Sequence, residues 1–310
     1  MQHSIEFHEV YRHFDQHAVL RGLNLAIPPG QIYALLGRNG TGKTTAIRIL
    51  MGRLAPHHGT TRVLGHDSTT FGPSERAAIG YVTEGHALYK ELSVAQTLSF
   101  EAGTRPGFHR KFAEDALGRM GIGRRKAVWQ LSRGQHAQLS LIVTLASVPQ
   151  VLVLDDPAMG LDVVVRREFL DAMIDFLADK GTTVLFSSHI LTDVERIADR
   201  IGILHSGRLR LDAPLEELKS RVQTRMWTRS GAAAAPMEPE ILRARQVSGG
   251  YELTLLDVTS ATVDRLTQTG ARLSDAWTPS LEDLFLALTA DDSPVGWSLP
   301  LSPPLLHQGR

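Results

Sequence analysis

The sequence predicts an α/β protein built on a parallel sheet, and three observations predict it. Short apolar runs of strand length recur at residues 32–36, 79–83, 151–154 and 183–186, continuous rather than alternating, as strands buried on both faces are. Stretches of helical periodicity separate them. Between the first run and the helix that follows lies the glycine-rich segment Gly37-Arg38-Asn39-Gly40-Thr41-Gly42-Lys43-Thr44, a strand–turn–helix context with a definite chemistry.

Composition bounds what the chain can be. At 310 residues with 43% hydrophobic content it has material for one large domain and a small one. Lys+Arg and Asp+Glu each number 33, so no overall field draws the protein to nucleic acid or to an acidic membrane surface, and a nucleic-acid partner is not expected. The absence of cysteine excludes a disulfide framework, a thiolate metal site and a catalytic thiol. Neither a basic-then-apolar leader nor an uninterrupted apolar stretch of spanning length appears, so membrane work is expected to need a partner chain.

In chain order, residues 5–7 and the alternating Leu23, Leu25 and Ile27 read as strands, and Pro28-Pro29-Gly30 turns the chain into strand 32–36. Gly37, Gly40 and Gly42 let the next segment bend so that successive N–H groups converge on an anion, and the helix at 45–51 adds its positive end. Lys43 is placed to reach the β- and γ-phosphates of a nucleotide, and the Thr44 hydroxyl to ligate Mg²⁺, with Thr45 the lesser candidate. After strand 79–83 come helices at 93–102, 110–120 and 132–146. The first two, with no strand between them, predict a helical subdomain spanning about 92–146. Strand 151–154, helix 163–179, strand 183–186 and helix 191–198 return to the core pattern.

A closing helix at 214–221 ends the first domain, predicted as residues 1–221. Residues 231–236, Gly followed by four Ala and a Pro, read as a linker. A strand at 251–256, a helix at 260–267 and a last helix at 280–288 predict a small α+β accessory region over 222–290. Residues 291–310, Pro-rich and aperiodic, are expected to be a flexible tail.

Further segments carry chemistry. Four apolar residues deliver Asp155 and Asp156 to the carboxyl end of a strand, the edge of an open α/β sheet where ligands bind. Asp155 is expected to hold Mg²⁺ through water and Asp156 to act on the water that attacks the γ-phosphate; alone, Asp-Asp-Pro would also make a good turn. Ser132, in Leu131-Ser132-Arg133-Gly134-Gln135, is a natural N-cap for the helix it precedes, and Asp162 for the helix from Val163.

The order of these segments, phosphate loop, Leu131 to Gln135, Asp155-Asp156, Gly160-Leu161-Asp162 and then His189, resembles that of ATP-binding cassette (ABC) nucleotide-binding domains over residues 5–221. Leu131 to Gln135 is similar to the family signature, usually Leu-Ser-Gly-Gly-Gln. The resemblance implies a phosphate-loop core with an antiparallel β subdomain and an inserted helical one. It also implies a head-to-tail dimer of identical or related subunits with two ATP molecules between them, each met by one subunit's phosphate loop and the other's Ser132 and Gly134. Asp162 then falls in the inter-subunit Asp loop, and His189 resembles the switch histidine that bonds the γ-phosphate. Phe14 aligns with the adenine-stacking aromatic, with Tyr11 its competitor. The stretch from Pro279 to Phe285 resembles the ending of ABC-2 exporter subunits. That implies a separate transmembrane permease as partner and a peripheral position on the cytoplasmic face of the inner (plasma) membrane.

This chain departs from the family pattern at three positions. Glu84 stands where most members carry Gln; it keeps an oxygen for Mg²⁺ but loses the amide donor. Arg133 replaces the first signature glycine. Asp156 replaces the usual catalytic Glu and is shorter by one methylene, a loss of reach of roughly 1 Å that can cost on the order of a hundredfold in rate. The expectation is a Mg²⁺-dependent ATPase that turns over slowly. A regulatory cassette that scarcely hydrolyses, and a soluble cassette outside transport, are the alternatives.

Overall fold

The computed structural model describes residues 3–83, 85, 87–177, 181–229, 234–268 and 270–289. Glu84, part of the predicted linker and the predicted tail at 291–310 lie outside the described residues. The chain divides into two compact units, one ending at Leu209 and one beginning at Arg210.

The first unit opens with a long hairpin, β1 (Ile5–Phe14) and β2 (His17–Ile27), rather than the short strands expected. The pairing runs from Ile5 opposite Ile27 to Phe14 opposite His17 and shifts register between Phe7 and Val10, where Glu9 takes φ 46°. That bulge interrupts the apolar alternation, which is why the outer half of the strand is hard to read. β3 (Ile32–Leu36) leads through the glycine-rich turn into α1 (Lys43–Leu50), which starts two residues before the predicted helix and buries Ala46, Ile47, Ile49 and Leu50. β4 (His58–Val63) and β5 (His66–Asp67) complete an antiparallel sheet in the order β2-β1-β4-β5.

After α2 (Pro73–Ala77) comes β6 (Ile79–Val82), and then helices α3 (Val94–Thr104), α4 (Arg110–Arg119) and α5 (Arg133–Ala146). These three close on a core of their own, with Val94, Leu98, Leu117, Leu139 and Val143 inside it. Then follow β7 (Val151–Asp155), α6 (Val163–Leu177), β8 (Thr183–Ser188), α7 (Leu191–Ile197) and β9 (Arg200–His205). Within this unit the parallel strands lie in the order β9-β3-β8-β7-β6. Every residue of β7 and β8 is buried, which explains the apolar runs 151–154 and 184–186 within them. A single apolar core joins α1 to both sheets through residues such as Ile5, Leu23, Ile47, Val153 and Leu185.

Strand register positions the functional residues. Leu36 of β3 pairs with Ser188 of β8, and Asp155 of β7 with Ser187 of β8. The end of the phosphate loop strand, the carboxylates and the residues before His189 therefore arrive together at one sheet edge.

β10 (Arg208–Pro214) runs across the division between the units. The second unit contains α8 (Leu215–Arg221), β11 (Val222–Thr228), β12 (Ile241–Val247), β13 (Gly250–Leu256), α9 (Ser260–Thr267), β14 (Arg272–Leu273) and α10 (Leu281–Thr289). Its sheet has the order β12-β13-β11-β14, larger than the one strand the sequence suggests. Trp227, Ile241, Leu253, Leu255 and Leu266 form its core, and the Trp227 indole N–H donates to the Leu266 carbonyl at 2.9 Å. No helix among the described residues is long and apolar enough to cross a membrane.

Candidate functional site

Gly42 shows why the phosphate loop needs glycine. It sits at φ 109°, in the region that L side chains rarely adopt, and an added Cβ would lie 2.8 Å from Leu20. The turn delivers Lys43 to a buried position, where its ammonium donates to the carbonyls of Gly37 at 2.7 Å and Arg38 at 3.2 Å. Burial lowers its pKa below the ordinary lysine range, while the charges of Asp156 and Asp155 pull it back. A cation so placed suits a polyanion.

The carboxylates form a connected set. The Thr44 hydroxyl donates to Asp155 Oδ1 at 3.0 Å, and so does the Ser187 hydroxyl, also at 3.0 Å. Ser187 Oγ in turn accepts the Asp156 backbone N–H at 3.0 Å. The Asp156 carboxylate meets His189 Nδ1 at 2.9 Å. Burial raises the pKa of Asp155, and the hydrogen bonds from Ser187 and Thr44 oppose that rise. A divalent cation beside Asp155 would offset the same desolvation, and the hard oxygens of Thr44 and Asp155 are the donor type Mg²⁺ takes when phosphate and water supply its other ligands. The residues therefore fit the ion.

Asn39, Gly40, Gly42, Lys43, Thr44, Thr45 and Asp156, with Val19 and Met159, line one cleft of about 410 Å³. The sequence reasoning missed Ser187, Val19 and Met159. A polar residue at the carboxyl end of a buried strand was the available signal for Ser187. Phe14 is not among the residues lining this cleft. It ends β1, 45% exposed, with the Arg12 guanidinium 4.8 Å from its ring centre. Its competitor Tyr11 donates to Glu9 and packs edge-on to His58.

The signature segment lies at a second cavity, of about 590 Å³, lined by Lys90, Trp129, Leu131, Arg133, His136, Met159, Gly160 and Leu161 among others. Met159 lines both cavities. Ser132 caps α5, accepting the Gln135 N–H at 3.1 Å, while Gln135 Oε1 reaches back to the Ser132 N–H at 3.4 Å. Gly134 is required by packing, since an added Cβ would lie 2.5 Å from Val165 of α6. Asp162 caps α6, its Oδ1 accepting the N–H groups of Val164 and Val165 at 3.0 Å each. Both capping roles foreseen for Ser132 and Asp162 are present. Glu84 lies outside the described residues.

A parallel sheet that gathers a glycine-rich phosphate loop, a buried lysine and two strand-end carboxylates at one edge, with Asp156 in the cleft and Asp155 behind Thr44, defines a phosphate-loop nucleotide-binding protein. The sequence model of the ABC transporter family matches residues 20–159. The bacitracin transport ATP-binding protein BcrA of Enterococcus faecalis is 30% identical over 265 residues, 85% of this chain and 84% of that protein. The daunorubicin resistance ATP-binding protein DrrA3 of Streptomyces coeruleorubidus is 33% identical over 295 residues, covering 89% and 92%. Among solved structures, cbiO1 from Clostridium perfringens, described as part of the ABC transporter complex cbiONQ, matches with a TM-score of 0.61 at 27% identity, over 71% of this chain and 92% of that one. The chain belongs to the ABC transporter family as an ATP-binding subunit, and the resemblance read from its motifs holds.

Proposed function

We propose that this chain is the Mg²⁺-dependent ATPase subunit of an exporter, closing head-to-tail with a second copy or a related subunit around ATP and driving a separate membrane-spanning permease. The observation that carries the reading is the unbroken hydrogen-bond path Thr44–Asp155–Ser187–Asp156–His189 at the end of the phosphate cleft. Lys43 binds the β- and γ-phosphates. Thr44 and Asp155 would hold Mg²⁺, which when bound neutralises charge on the phosphate oxygens. Asp156 orients the attacking water and accepts its proton. His189 donates from Nδ1 to the Asp156 carboxylate, which fixes the imidazole and leaves Nε2 as the ring's other polar atom for the γ-phosphate. Ser132 and Gly134 meet the phosphate held by the facing subunit, and Glu84, Phe14 and Asp162 keep the roles that the family pattern gives them.

Export is favoured because relatives over most of the chain are named for bacitracin transport and daunorubicin resistance. With no long apolar helix among the described residues, the place proposed is peripheral, on the cytoplasmic face of the membrane that holds the permease.

Slow turnover is part of the proposal. Asp156 is one methylene short of the usual Glu, and its backbone takes φ 48°, a left-handed conformation that Asp enters more readily than most side chains. Glu at this position regains about 1 Å of reach, worth up to roughly a hundredfold in rate, against a backbone cost of order 1 kcal/mol. Multiple-turnover phosphate release from the purified chain with and without Mg²⁺ tests the reading. It should require the metal and rise about tenfold or more in Asp156→Glu; an unchanged or lower rate in that variant overturns the reach argument.

A further inference from the structure

α7 is the helix that follows His189, and little within it fixes where it sits. It has seven residues and no side-chain cap at its N-terminus, so it is too short to hold its shape without tertiary contacts. Its buried residues are Val194, Ile197 and Asp193, the last only 8% exposed. Two charge pairs cross from α7 to α6: Asp193 Oδ1 to Arg166 Nε at 3.6 Å, and Arg196 to Asp171. The second is exposed on both sides and contributes little. The first is costly. Burial raises the pKa of Asp193 above the ordinary carboxylate range, against the charges of Arg166, Arg196 and His189, and its Oδ2 is buried with no hydrogen-bond partner.

A buried carboxylate held at one oxygen is a poor source of stability; what an ion pair supplies and an apolar contact does not is direction. This pair joins the starts of two helices. Arg166 lies one turn into α6, its N–H bonded to the Asp162 carbonyl at 2.9 Å, and Asp193 lies in the first turn of α7, four residues after His189. On its other flank α6 is tied to α5, where the buried Gln138 amide donates to Glu168 at 3.1 Å. A slide of α7 along α6 would carry His189 away from the Asp156 carboxylate that it meets at 2.9 Å. We infer that Arg166 and Asp193 are positioning residues for ATP hydrolysis: their ion pair sets the register of α7 on α6 and so holds His189 against Asp156. The inference rests on the ATPase reading above. Neither residue lines the phosphate cleft, so both act through His189.

The test compares Asp193→Asn, Arg166→Gln and the double variant of the full chain by multiple-turnover phosphate release with Mg²⁺ and by thermal melting. Each single variant is expected to lower kcat about tenfold, the scale of a misplacement of a fraction of an ångström, and the double variant about tenfold as well rather than a hundredfold. KM for ATP and the ATP affinity of the single subunit should not change. Melting should follow a different order. Asp193→Asn removes a carboxylate that burial disfavours and should hold or raise the melting temperature, whereas Arg166→Gln strands that carboxylate and should lower it by at least about 3 °C. Asp193→Glu, which keeps a charge within reach of Arg166, should restore most of the rate. A purely structural pair would make turnover follow melting, leaving Asp193→Asn as fast as wild type. That result, or a double variant about a hundredfold slow, overturns this inference and leaves the ATPase reading standing. A wild-type chain that releases no phosphate with Mg²⁺ overturns that reading and this inference with it.

Discussion

The two cavities of the first unit solve opposite electrostatic problems. In the phosphate cleft, every charge named above has a partner from its own chain: Lys43 rests on two carbonyls, Asp155 on Thr44 and Ser187, and Asp156 on His189. At the signature cavity, Arg133 and Lys90 bring like charges to one lining, with no carboxylate among the described lining residues. One region is organised by its own hydrogen bonds; the described lining of the other gathers positive charge without a carboxylate beside it. In a protein whose Lys+Arg and Asp+Glu counts are equal, such asymmetry comes from placement and not from composition.

The largest expected effect separates the two regions directly. Lys43→Met removes the buried cation that would contact two phosphates, and ATP affinity of the single subunit should fall at least about a hundredfold, the product of two charged hydrogen bonds. Isothermal titration measures it. The melting temperature without nucleotide should hold or rise, because desolvation already works against the charged form of Lys43. A loss in Lys43→Met of less than about threefold would erase the distinction between a cleft built around a phosphate and a cavity that only carries positive charge.

A smaller effect is expected inside the cleft. Ser187 is fully buried, and its hydroxyl both donates to Asp155 and accepts from the Asp156 amide. Ser187→Ala leaves that amide unpaired at a cost of about 1–3 kcal/mol and frees Asp155 to shift, so turnover should drop about tenfold with a measurable fall in melting temperature. If phosphate release and melting both match wild type, the cleft is less tightly wired than its hydrogen bonds indicate.

Ser187 also marks where sequence reasoning stopped. The phosphate loop was legible because Gly37 to Thr44 are contiguous, and so were β7 and β8, whose apolar runs have no polar interruptions. The meeting of Asp155 with Ser187 depends on the register of two parallel strands 32 residues apart, which no local pattern encodes. Strands with exposed faces were lost for a related reason. β4 reads His-Gly-Thr-Thr-Arg-Val and buries only Thr61 and Val63, and β11 and β12 mix arginine and glutamine with their apolar residues, so neither alternation nor an apolar run stands out. In the second unit β13 alone had a readable core face, with Leu253 and Leu255. Motif order carried the family, and spatial arrangement carried the difference between the two cavities.

The smallest predicted effect concerns how the signature cavity limits its own positive charge. His136 lines it with Arg133 and Lys90, and its pKa is lowered, first by burial and then by the Lys90 charge, so the neutral imidazole is the form the fold accepts. The unfolded chain keeps the ordinary value near 6.5 and binds the proton more readily. The stability that His136 contributes is therefore fully present above about pH 6.5 and is lost as pH falls below it. Thermal melts between about pH 5 and 7.5 should show wild type losing stability on acidification more steeply than His136→Gln, by no more than about 2 °C given its partial exposure. Parallel slopes would remove His136 from the account. If an ATP phosphate does enter this cavity, the sign reverses there: the bound anion favours the imidazolium, and the ATP-trapped dimer should lose its acid sensitivity while the free chain keeps it.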